Sequence, residues 1–163
     1  MKVVIISDIH DNLVNLGKCL AWCKKNNITA TICPGDVCNA ETLEFLNTNF
    51  PAPIYLVRGN MELFEDSVPE KFENINYGGR VAIWKIGGLN IGACHEPYLI
   101  DKVREKGSPD IIFYGHTHKP WEETRQGVRL VNPGTLGGVF SKATFATYNL
   151  ETGELELIFV DNI

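Results

Sequence analysis

The sequence predicts an α/β fold in which two packed β-sheets are flanked by helices. Strand-like and helix-like segments alternate over the first third of the chain, and strand-like segments separated by glycine-containing turns fill most of the second half. No repeat, low-complexity tract or linker interrupts this pattern, and 163 residues with 44% hydrophobic composition suit one well-packed core. We therefore expect a single domain that spans residues 1–163.

The first third of the chain predicts three short buried strands and two amphipathic helices. Runs of apolar and β-branched residues predict the strands at Val3–Ile6, Ala30–Cys33 and Ile54–Val57. The first helix is predicted over Asn12–Lys25, because apolar residues recur there at helical spacing and two lysines end it. The second helix is predicted to begin after Asn39 as its N-cap and to carry the apolar residues Leu43, Leu46 and Phe50.

The second half of the chain is dominated by strands. Val81–Ile86 and Leu89–Cys94, which two glycines connect, are predicted to form a β-hairpin. A short helix is predicted over Leu99–Lys106, with Gly107 as its C-terminal stop. Further strands are predicted at Ile111–Tyr114, Glu122–Arg125, Val128–Val131, Thr144–Leu150 and Leu155–Val160. The least patterned segment, Met61–Gly79, is predicted to be a loop or lid.

Composition narrows the classes of function. The net charge of −5 argues against broad, non-specific binding of nucleic acid, which needs a basic surface. The apolar run Val3–Ile6 is too short for a secretory signal, and no segment approaches the roughly 20 apolar residues that span a bilayer. We therefore expect a cytoplasmic protein without a membrane partner. The five cysteines are odd in number and widely spaced, so we expect buried thiols rather than disulfides.

Polar residues follow five of the predicted strands at their carboxyl ends. In chain order they are Asp8, His10, Asp36, Asn60, His95, His116 and His118. These positions include all four histidines of the chain. Ligands bind at the carboxyl ends of strands in α/β folds, so we expect the side chains to converge. Scattered surface polarity does not explain this recurrence, and the combination therefore predicts a metal site.

The chemistry of the donors indicates which metals would bind. Carboxylate, imidazole and amide ligands favour Mn²⁺, Fe²⁺ or Zn²⁺ over a structural zinc held by thiolates. These donors are too many for one ion and suit two, and the carboxylate of Asp36 could bridge them. Two aspartates, two divalent ions and a hydroxide leave about one positive charge, which would attract a phosphate anion. We expect two divalent ions, with Mn²⁺ first and Zn²⁺, Fe²⁺ or Ni²⁺ as alternatives.

The motifs that carry these residues resemble the calcineurin-like metallophosphoesterases. In chain order they are Asp8-Ile9-His10, Gly35-Asp36, Gly59-Asn60, His95 and Gly115-His116-Thr117-His118. The compact size and the turn Asn132-Pro133-Gly134-Thr135 resemble the small bacterial and archaeal phosphodiesterase branch, to which the retromer scaffold subunit is related. The resemblance implies a four-layer sandwich of two mixed β-sheets flanked by α-helices.

The resemblance also implies a role for each residue. The first metal would be held by Asp8, His10, Asp36 and His118. The second would be held by Asp36, Asn60, His95 and His116. A hydroxide that bridges the ions would attack phosphorus in line, which places Asp36, Asn60 and His95 closest to catalysis. The implied activity is hydrolysis of phosphodiesters, with some phosphatase activity.

Two positions depart from the family pattern. Many members carry a histidine after the asparagine as proton donor to the leaving group, whereas Met61 stands here and cannot donate a proton. Glu96 stands where glycine is common, and is either a solvated rim residue or a contact to substrate. Further substrate contacts are predicted at Asn12, Arg58, Asn39 and Lys119, although each could instead be a helix cap, a surface charge or a loop hydrogen bond.

Three functions follow from these observations. The leading one is a metal-dependent phosphodiesterase that acts on a small phosphorylated substrate, and a homodimer is compatible with it. The first alternative is a non-catalytic scaffold that keeps the fold and binds a protein partner, but a scaffold has no need of a complete ligand set. The second alternative is a nuclease, which the acidic charge and the absence of an added DNA-binding domain disfavour.

Overall fold

The computed structural model describes residues 1–163, which form three α-helices and eleven strands. The helices are α1 (Leu13–Lys25), α2 (Ala40–Asn49) and α3 (Ile100–Lys106). The first six strands are β1 (Lys2–Ile5), β2 (Thr31–Cys33), β3 (Ile54–Leu56), β4 (Ile75–Tyr77), β5 (Val81–Ile86) and β6 (Leu89–Cys94). The others are β7 (Ile111–Phe113), β8 (Trp121–Arg125), β9 (Val128–Asn132), β10 (Thr144–Asn149) and β11 (Leu155–Phe159). Short 3-10 helices lie at Pro69–Lys71, Pro97–Leu99 and Val160–Asn162.

The strands form two mixed sheets. The six-stranded sheet has the order β11-β10-β1-β2-β3-β4, in which β1 to β4 run parallel and β10 is antiparallel to both of its neighbours. The five-stranded sheet has the order β5-β6-β7-β9-β8, in which β6, β7 and β9 run parallel while β5 and β8 are antiparallel to their neighbours. Each sheet therefore has a parallel centre whose strand ends meet at one edge.

Alternation along the strands explains why these elements stack in four layers. In β1, Val3 and Ile5 pack between the two sheets, whereas Val4 belongs to the apolar cluster that α1 and α2 cover. In β7, Phe113 packs between the sheets, whereas Ile112 belongs to the cluster that α3 covers. Strands that are apolar on both faces need a cover on each side, and the helices supply it. The predicted four-layer sandwich is thereby confirmed.

The segment between the two halves is more ordered than predicted. Within the predicted loop, Pro69–Lys71 forms a 3-10 helix and Ile75–Tyr77 forms β4, which pairs in parallel with β3 at the edge of the six-stranded sheet. The prediction of a loop throughout Met61–Gly79 was therefore wrong. A three-residue edge strand contains too little alternation for the sequence to reveal it.

The start of α2 also differs from its prediction. Asn39 lies at the N-cap position, but its side chain makes no capping hydrogen bond to the helix. Instead, Asp11 Oδ1 accepts hydrogen bonds from the Asn39 backbone N–H at 2.9 Å and from the Thr42 hydroxyl at 2.6 Å. The sequence did not reveal this contact because Asp11 lies 28 residues before Asn39.

Two further findings concern the cysteines and the helices. All five cysteines are unpaired and buried, which agrees with their prediction as core thiols. None of the helices has the length and apolar character that crossing a membrane requires.

We expect two glycine substitutions to change stability in opposite directions. Gly17 lies within α1, and an added Cβ would meet only Phe45 Cζ, at 3.9 Å, so Gly17→Ala should stabilise the protein by about 0.5–1 kcal/mol. In β6, a Cβ on Gly92 would lie 2.6 Å from Val103 Cγ1, so Gly92→Ala should destabilise it by about 1–3 kcal/mol. Urea unfolding measures both free energies, and a shift of both in the same direction would contradict this packing.

Candidate metal centre

The fold brings the predicted ligands to one edge shared by both sheets. Asp8 follows β1, Asp36 follows β2 and Asn60 follows β3, and these three strands are parallel neighbours. His95 follows β6, while His116 and His118 follow β7, which is the parallel neighbour of β6 in the other sheet. Because parallel strands end at the same edge, the carboxyl ends of both sheets deliver polar side chains to one place.

Asp8 lies at the middle of the cluster. Its carboxylate is fully buried, and Oδ1 lies 3.0 Å from His118 Nε2, 3.8 Å from His10 Nε2 and 3.9 Å from His95 Nε2. The backbone N–H of His116 donates to the same carboxylate at 3.1–3.2 Å. Asp8 is thus within reach of histidines from both sheets.

Asp36 occupies a second central position. Its Oδ2 lies 3.2 Å from His95 Nε2 and 3.8 Å from His10 Nε2, while its Oδ1 accepts a hydrogen bond from the Met61 backbone N–H at 2.9 Å. Burial raises the pKa of Asp36, but the neighbouring His95 and the Met61 N–H outweigh it, so the pKa is lower than usual. Asp36 therefore stays ionised between His10 and His95.

Two of the histidines are oriented by backbone carbonyls. The Nδ1–H of His95 donates to the carbonyl of Pro34 at 2.8 Å, and the Nδ1–H of His118 donates to the carbonyl of Val139 at 2.9 Å. A histidine that donates from Nδ1 carries its lone pair on Nε2, which is the usual arrangement of a metal ligand. Both Nε2 atoms point towards the carboxylates of Asp8 and Asp36.

The donor atoms fit divalent cations. His10 Nε2 and His118 Nε2 face each other at 3.2 Å, and the buried His95 Nε2 makes no hydrogen bond although Asp36 Oδ2 lies nearby. Two sets of donors, Asp8 with His10 and His118, and Asp8 with Asp36 and His95, have all their ligand atoms within 4.8 Å of one another. Buried carboxylates and facing lone pairs need positive charge, which a divalent cation supplies.

Asn60 and His116 lie outside these two compact sets. Both side chains are exposed, and Asn60 Oδ1 contacts His116 Nδ1 at 2.9 Å. The rings of His95 and His116 are in edge contact, with centroids 5.3 Å apart. The structure therefore brings all seven predicted residues into one cluster, with Asn60 and His116 on its open side.

The backbone at the centre is held in an unusual conformation. Five of the seven residues have positive φ angles: Asp8 (53°), His10 (46°), Asp36 (56°), His116 (69°) and His118 (58°). For a residue other than glycine, a sparsely populated backbone conformation costs about 1–3 kcal/mol. Such conformations cluster at functional sites, where they orient side chains towards the site. The positive φ angles turn the chain sharply in the segments that follow the strands.

Glycines beside the ligands permit close approach. A Cβ at Gly59 would collide with Asp36 Oδ1, and one at Gly115 would collide with Ser7 Oγ and lie 2.7 Å from Asp8 Oδ2. Only a residue without a side chain therefore fits at these two positions, where the turns pack directly against the candidate ligands.

Two of the predicted substrate contacts are occupied within the protein. Asn12 caps α1, since its Oδ1 accepts from the Asn15 N–H at 3.0 Å, and its Nδ2 donates to the Gly137 carbonyl at 2.9 Å. Asn39 donates from its side chain to Asp11 at 2.6 Å. These contacts correspond to the cap and loop roles that the sequence also allowed.

Arg58 and Glu96 are likewise paired with protein groups. Arg58 donates to Asp66 at 2.7 Å and to the Phe64 carbonyl at 3.0 Å. Glu96 is only 3% exposed and accepts from Arg80 at 2.6 Å, so its interpretation as a solvated rim residue was wrong. The sequence could not reveal Arg80 as its partner because the two residues lie 16 positions apart.

A cavity of about 440 Å³ opens over the centre. Its polar lining includes His10, Asp36, Asn60, His116, His118 and Lys119, and its apolar lining consists of Met61, Val139 and Phe140. The volume lies in the range of small-molecule sites in proteins, roughly 300–1,000 Å³. Lys119 is the predicted substrate contact that lines this cavity.

Glu62 joins two of the turns that carry the candidate ligands, a structural role that the sequence did not predict. Its buried Oε1 accepts from the Gly59 N–H at 3.1 Å and from the Val37 N–H at 3.4 Å, which ties the turn after β3 to the turn after β2. Burial raises the pKa of Glu62 to about 7. An acidic residue two positions after Asn60 was the only sequence signal for this contact.

The chain is similar to known phosphodiesterases in sequence and in fold. A phosphodiesterase of Methanocaldococcus jannaschii is 29% identical over 144 residues, which are 85% of this chain and 86% of that protein. The structure of an archaeal phosphodiesterase superposes with a TM-score of 0.87 at 25% identity and covers 98% of this chain and 99% of that one. Vps29 of Entamoeba histolytica in complex with Zn²⁺ shares the fold, with a TM-score of 0.69 at 19% identity over 98% of this chain and 99% of that one.

The family assignment rests on the match of the domain as a whole. The calcineurin-like phosphoesterase superfamily domain matches residues 1–153. The donor cluster of Asp8, Asp36 and the histidines is consistent with the metal dependence of this family. The chain therefore belongs to the calcineurin-like phosphoesterase superfamily.

Proposed function

We propose that this protein is a phosphodiesterase that works with two divalent metal ions. The observation that carries the proposal is the convergence of two buried carboxylates with the Nε2 atoms of three histidines. The phosphodiesterases of similar sequence and structure support the reaction class. Mn²⁺ is the proposed activating ion, and phosphatase activity on monoesters is proposed as a weaker accompaniment.

The proposed ligand sets are those that the resemblance to the family implies, and they share Asp36, whereas the two compact donor sets share Asp8. One ion would be held by Asp8, His10, Asp36 and His118, and the other by Asp36, Asn60, His95 and His116. The position of Asp36 Oδ2, 3.2 Å from His95 Nε2 and 3.8 Å from His10 Nε2, supports its role as the shared ligand. The carbonyls that orient His95 and His118 support the same assignment, because they fix the coordinating nitrogen before a metal binds.

Lys119 and Met61 have different proposed roles in the reaction. Divalent cations held there would neutralise the phosphate and lower the pKa of a water for attack on phosphorus. Lys119 lines the cavity and offers a cation to the phosphate oxygens. Met61 lines the same cavity but offers no proton to a leaving oxygen, so esters with acidic leaving groups should be the better substrates.

Metal content and activity test the proposal together. Protein stripped with a chelator and reloaded with Mn²⁺ should retain close to two equivalents per chain and hydrolyse bis(p-nitrophenyl) phosphate. Asp36→Asn should lose metal and reduce kcat/KM by more than about 100-fold, because even residues that merely orient metal ligands contribute 10–100-fold. Asp161→Asn, at an exposed residue outside the cluster, is the matched control. A single tightly held equivalent in the wild type, or activity that survives chelation, would overturn the proposal.

The affinity for metal should depend on pH. The nearby carboxylates of Asp8 and Asp36 raise the pKa of His10. Burial lowers the pKa of His95, but the same two carboxylates outweigh this effect and raise it. The metal-free protein should therefore hold protons on these histidines at a higher pH than an ordinary imidazole, whose pKa is about 6.5. Protons compete with the metal for these histidines. Calorimetry should therefore show that the Mn²⁺ affinity decreases as the pH is lowered, and that the decrease begins at a pH above 6.5.

The same pKa shifts should make the metal-free fold more stable at low pH, where metal binds more weakly. A raised pKa stabilises the metal-free fold below the unfolded value of about 6.5, and this contribution disappears as the pH rises through the folded pKa. Metal should therefore add most to the melting temperature above neutral pH. A Kd for Mn²⁺ that stays constant between pH 6 and pH 8 would contradict the protonation of His10 and His95.

Met61 should make the reaction unusually sensitive to the leaving group. Without a general acid, which contributes about 10²–10⁴-fold, a basic leaving group departs slowly while p-nitrophenolate departs easily. A plot of log kcat/KM against leaving-group pKa should therefore be steep. Met61→His should flatten it, and Met61→Leu should leave it steep. A shallow slope in the wild type would show that another residue donates the proton, with Glu62 or Glu96 to be tested first.

A further inference from the structure

Phe140 stands out on the surface near the metal centre. Its side chain is 95% exposed, which is the highest value among the large apolar residues. Its φ angle of 61° lies in the left-handed region, which aromatic residues rarely adopt. Packing in the core does not explain an exposed ring on a strained backbone. Such strain instead is typical of residues whose side chains are aimed at a ligand.

The ring of Phe140 lies beside the metal centre. It stacks on the imidazole of His118, with ring centroids 5.9 Å apart and an interplanar angle of 23°. The carbonyl of the preceding residue, Val139, accepts the hydrogen bond from His118 Nδ1 at 2.9 Å. The ring therefore lies next to a proposed metal ligand, on a loop that contacts the same ligand.

A second exposed apolar side chain lines the same cavity. Met61 is 49% exposed and follows Asn60, and both Met61 and Phe140 line the cavity of about 440 Å³ over the metal centre. The polar lining comes from the candidate ligands, Thr117, Lys119 and Ser141, and it suits a phosphate group. The apolar part of the lining is therefore suited to contact an ester group of the substrate rather than its phosphate.

We propose that Phe140 and Met61 form an aromatic-binding platform for the ester group that stays on the phosphate during hydrolysis. The proposal rests on the proposed phosphodiesterase function. An aromatic ring, either a nucleobase or a simple aryl group, suits the platform because rings stack on a phenyl face and a thioether contacts ring edges favourably. A small ester is favoured over a nucleic acid strand, since the net charge of −5 repels a polyanion.

Three diesters with the same leaving group test the platform. Each would release p-nitrophenolate, while the retained group is methyl, phenyl or thymidine through its 5′ oxygen. With Mn²⁺-loaded wild type, kcat/KM for the phenyl and thymidine esters should exceed that for the methyl ester by about tenfold, as stacking on an aromatic side chain provides. Phe140→Ala should remove most of this ratio, and Phe140→Tyr should retain it. Trp121→Ala, at an exposed aromatic residue outside the cavity, should leave the ratio unchanged.

Binding without turnover gives a second readout. Calorimetry should show phenylphosphonate binding to the Mn²⁺-loaded protein about tenfold more tightly than methylphosphonate. Phe140→Ala should bring the two affinities close together. An unchanged melting temperature would show that this variant remains folded, as expected for a side chain that is 95% exposed.

The outcomes separate the two proposals. A gain for thymidine alone would support a nucleobase as the ligand, and a gain for both aromatic esters would support any aryl group. Equal kcat/KM for all three diesters, together with equal phosphonate affinities, would overturn the platform and leave the phosphodiesterase intact. If none of the diesters is hydrolysed, the proposed function fails, and the ratio of phosphonate affinities still decides whether the platform exists.

Discussion

The structure depends on holding two buried carboxylates close together, away from water. Asp8 is fully buried and Asp36 is 2% exposed, and their ligand atoms lie within 4.8 Å of each other. Burying one unpaired carboxylate is already unfavourable, and a second like charge nearby adds repulsion. The fold compensates with backbone N–H donors from His116 and Met61 and with surrounding imidazoles. The remaining negative charge creates the demand for a metal ion.

The geometry around these carboxylates explains the local features of the chain. A parallel strand must end abruptly for the next residue to point into the centre, and left-handed backbone at Asp8 and Asp36 produces that turn. The turns come so close together that a side chain at Gly59 or Gly115 would strike the ligands. Glu62 then links two of the turns through backbone N–H groups. Unfavourable local conformations are thus sustained by the packed sheets behind them.

Much of the fold was predictable because its strands and helices have clear periodicity. The alternation of strands with helices, the hairpin of β5 and β6, and the positions of the polar strand ends all follow from local pattern, and the structure contains them. The short β4 was missed, since three edge residues carry no detectable alternation. Contacts such as Asp11 with α2 and Arg80 with Glu96 depend on residues distant in sequence, which a single sequence does not reveal. The exposed ring of Phe140 gave no signal either, because its significance lies only in its position over the cavity.

The centre is divided between the two sheets. The six-stranded sheet contributes both carboxylates and Asn60, whereas the five-stranded sheet contributes three of the four histidines. Neither sheet alone offers a complete donor set. A cation with ligands from both sheets would therefore link the two sheets to each other. Its binding free energy then adds to the packing of the two sheets, because a ligand stabilises only the form that binds it. Some core substitutions far from the cavity would shift one sheet against the other. Such substitutions would therefore weaken metal binding before they cause any loss of secondary structure.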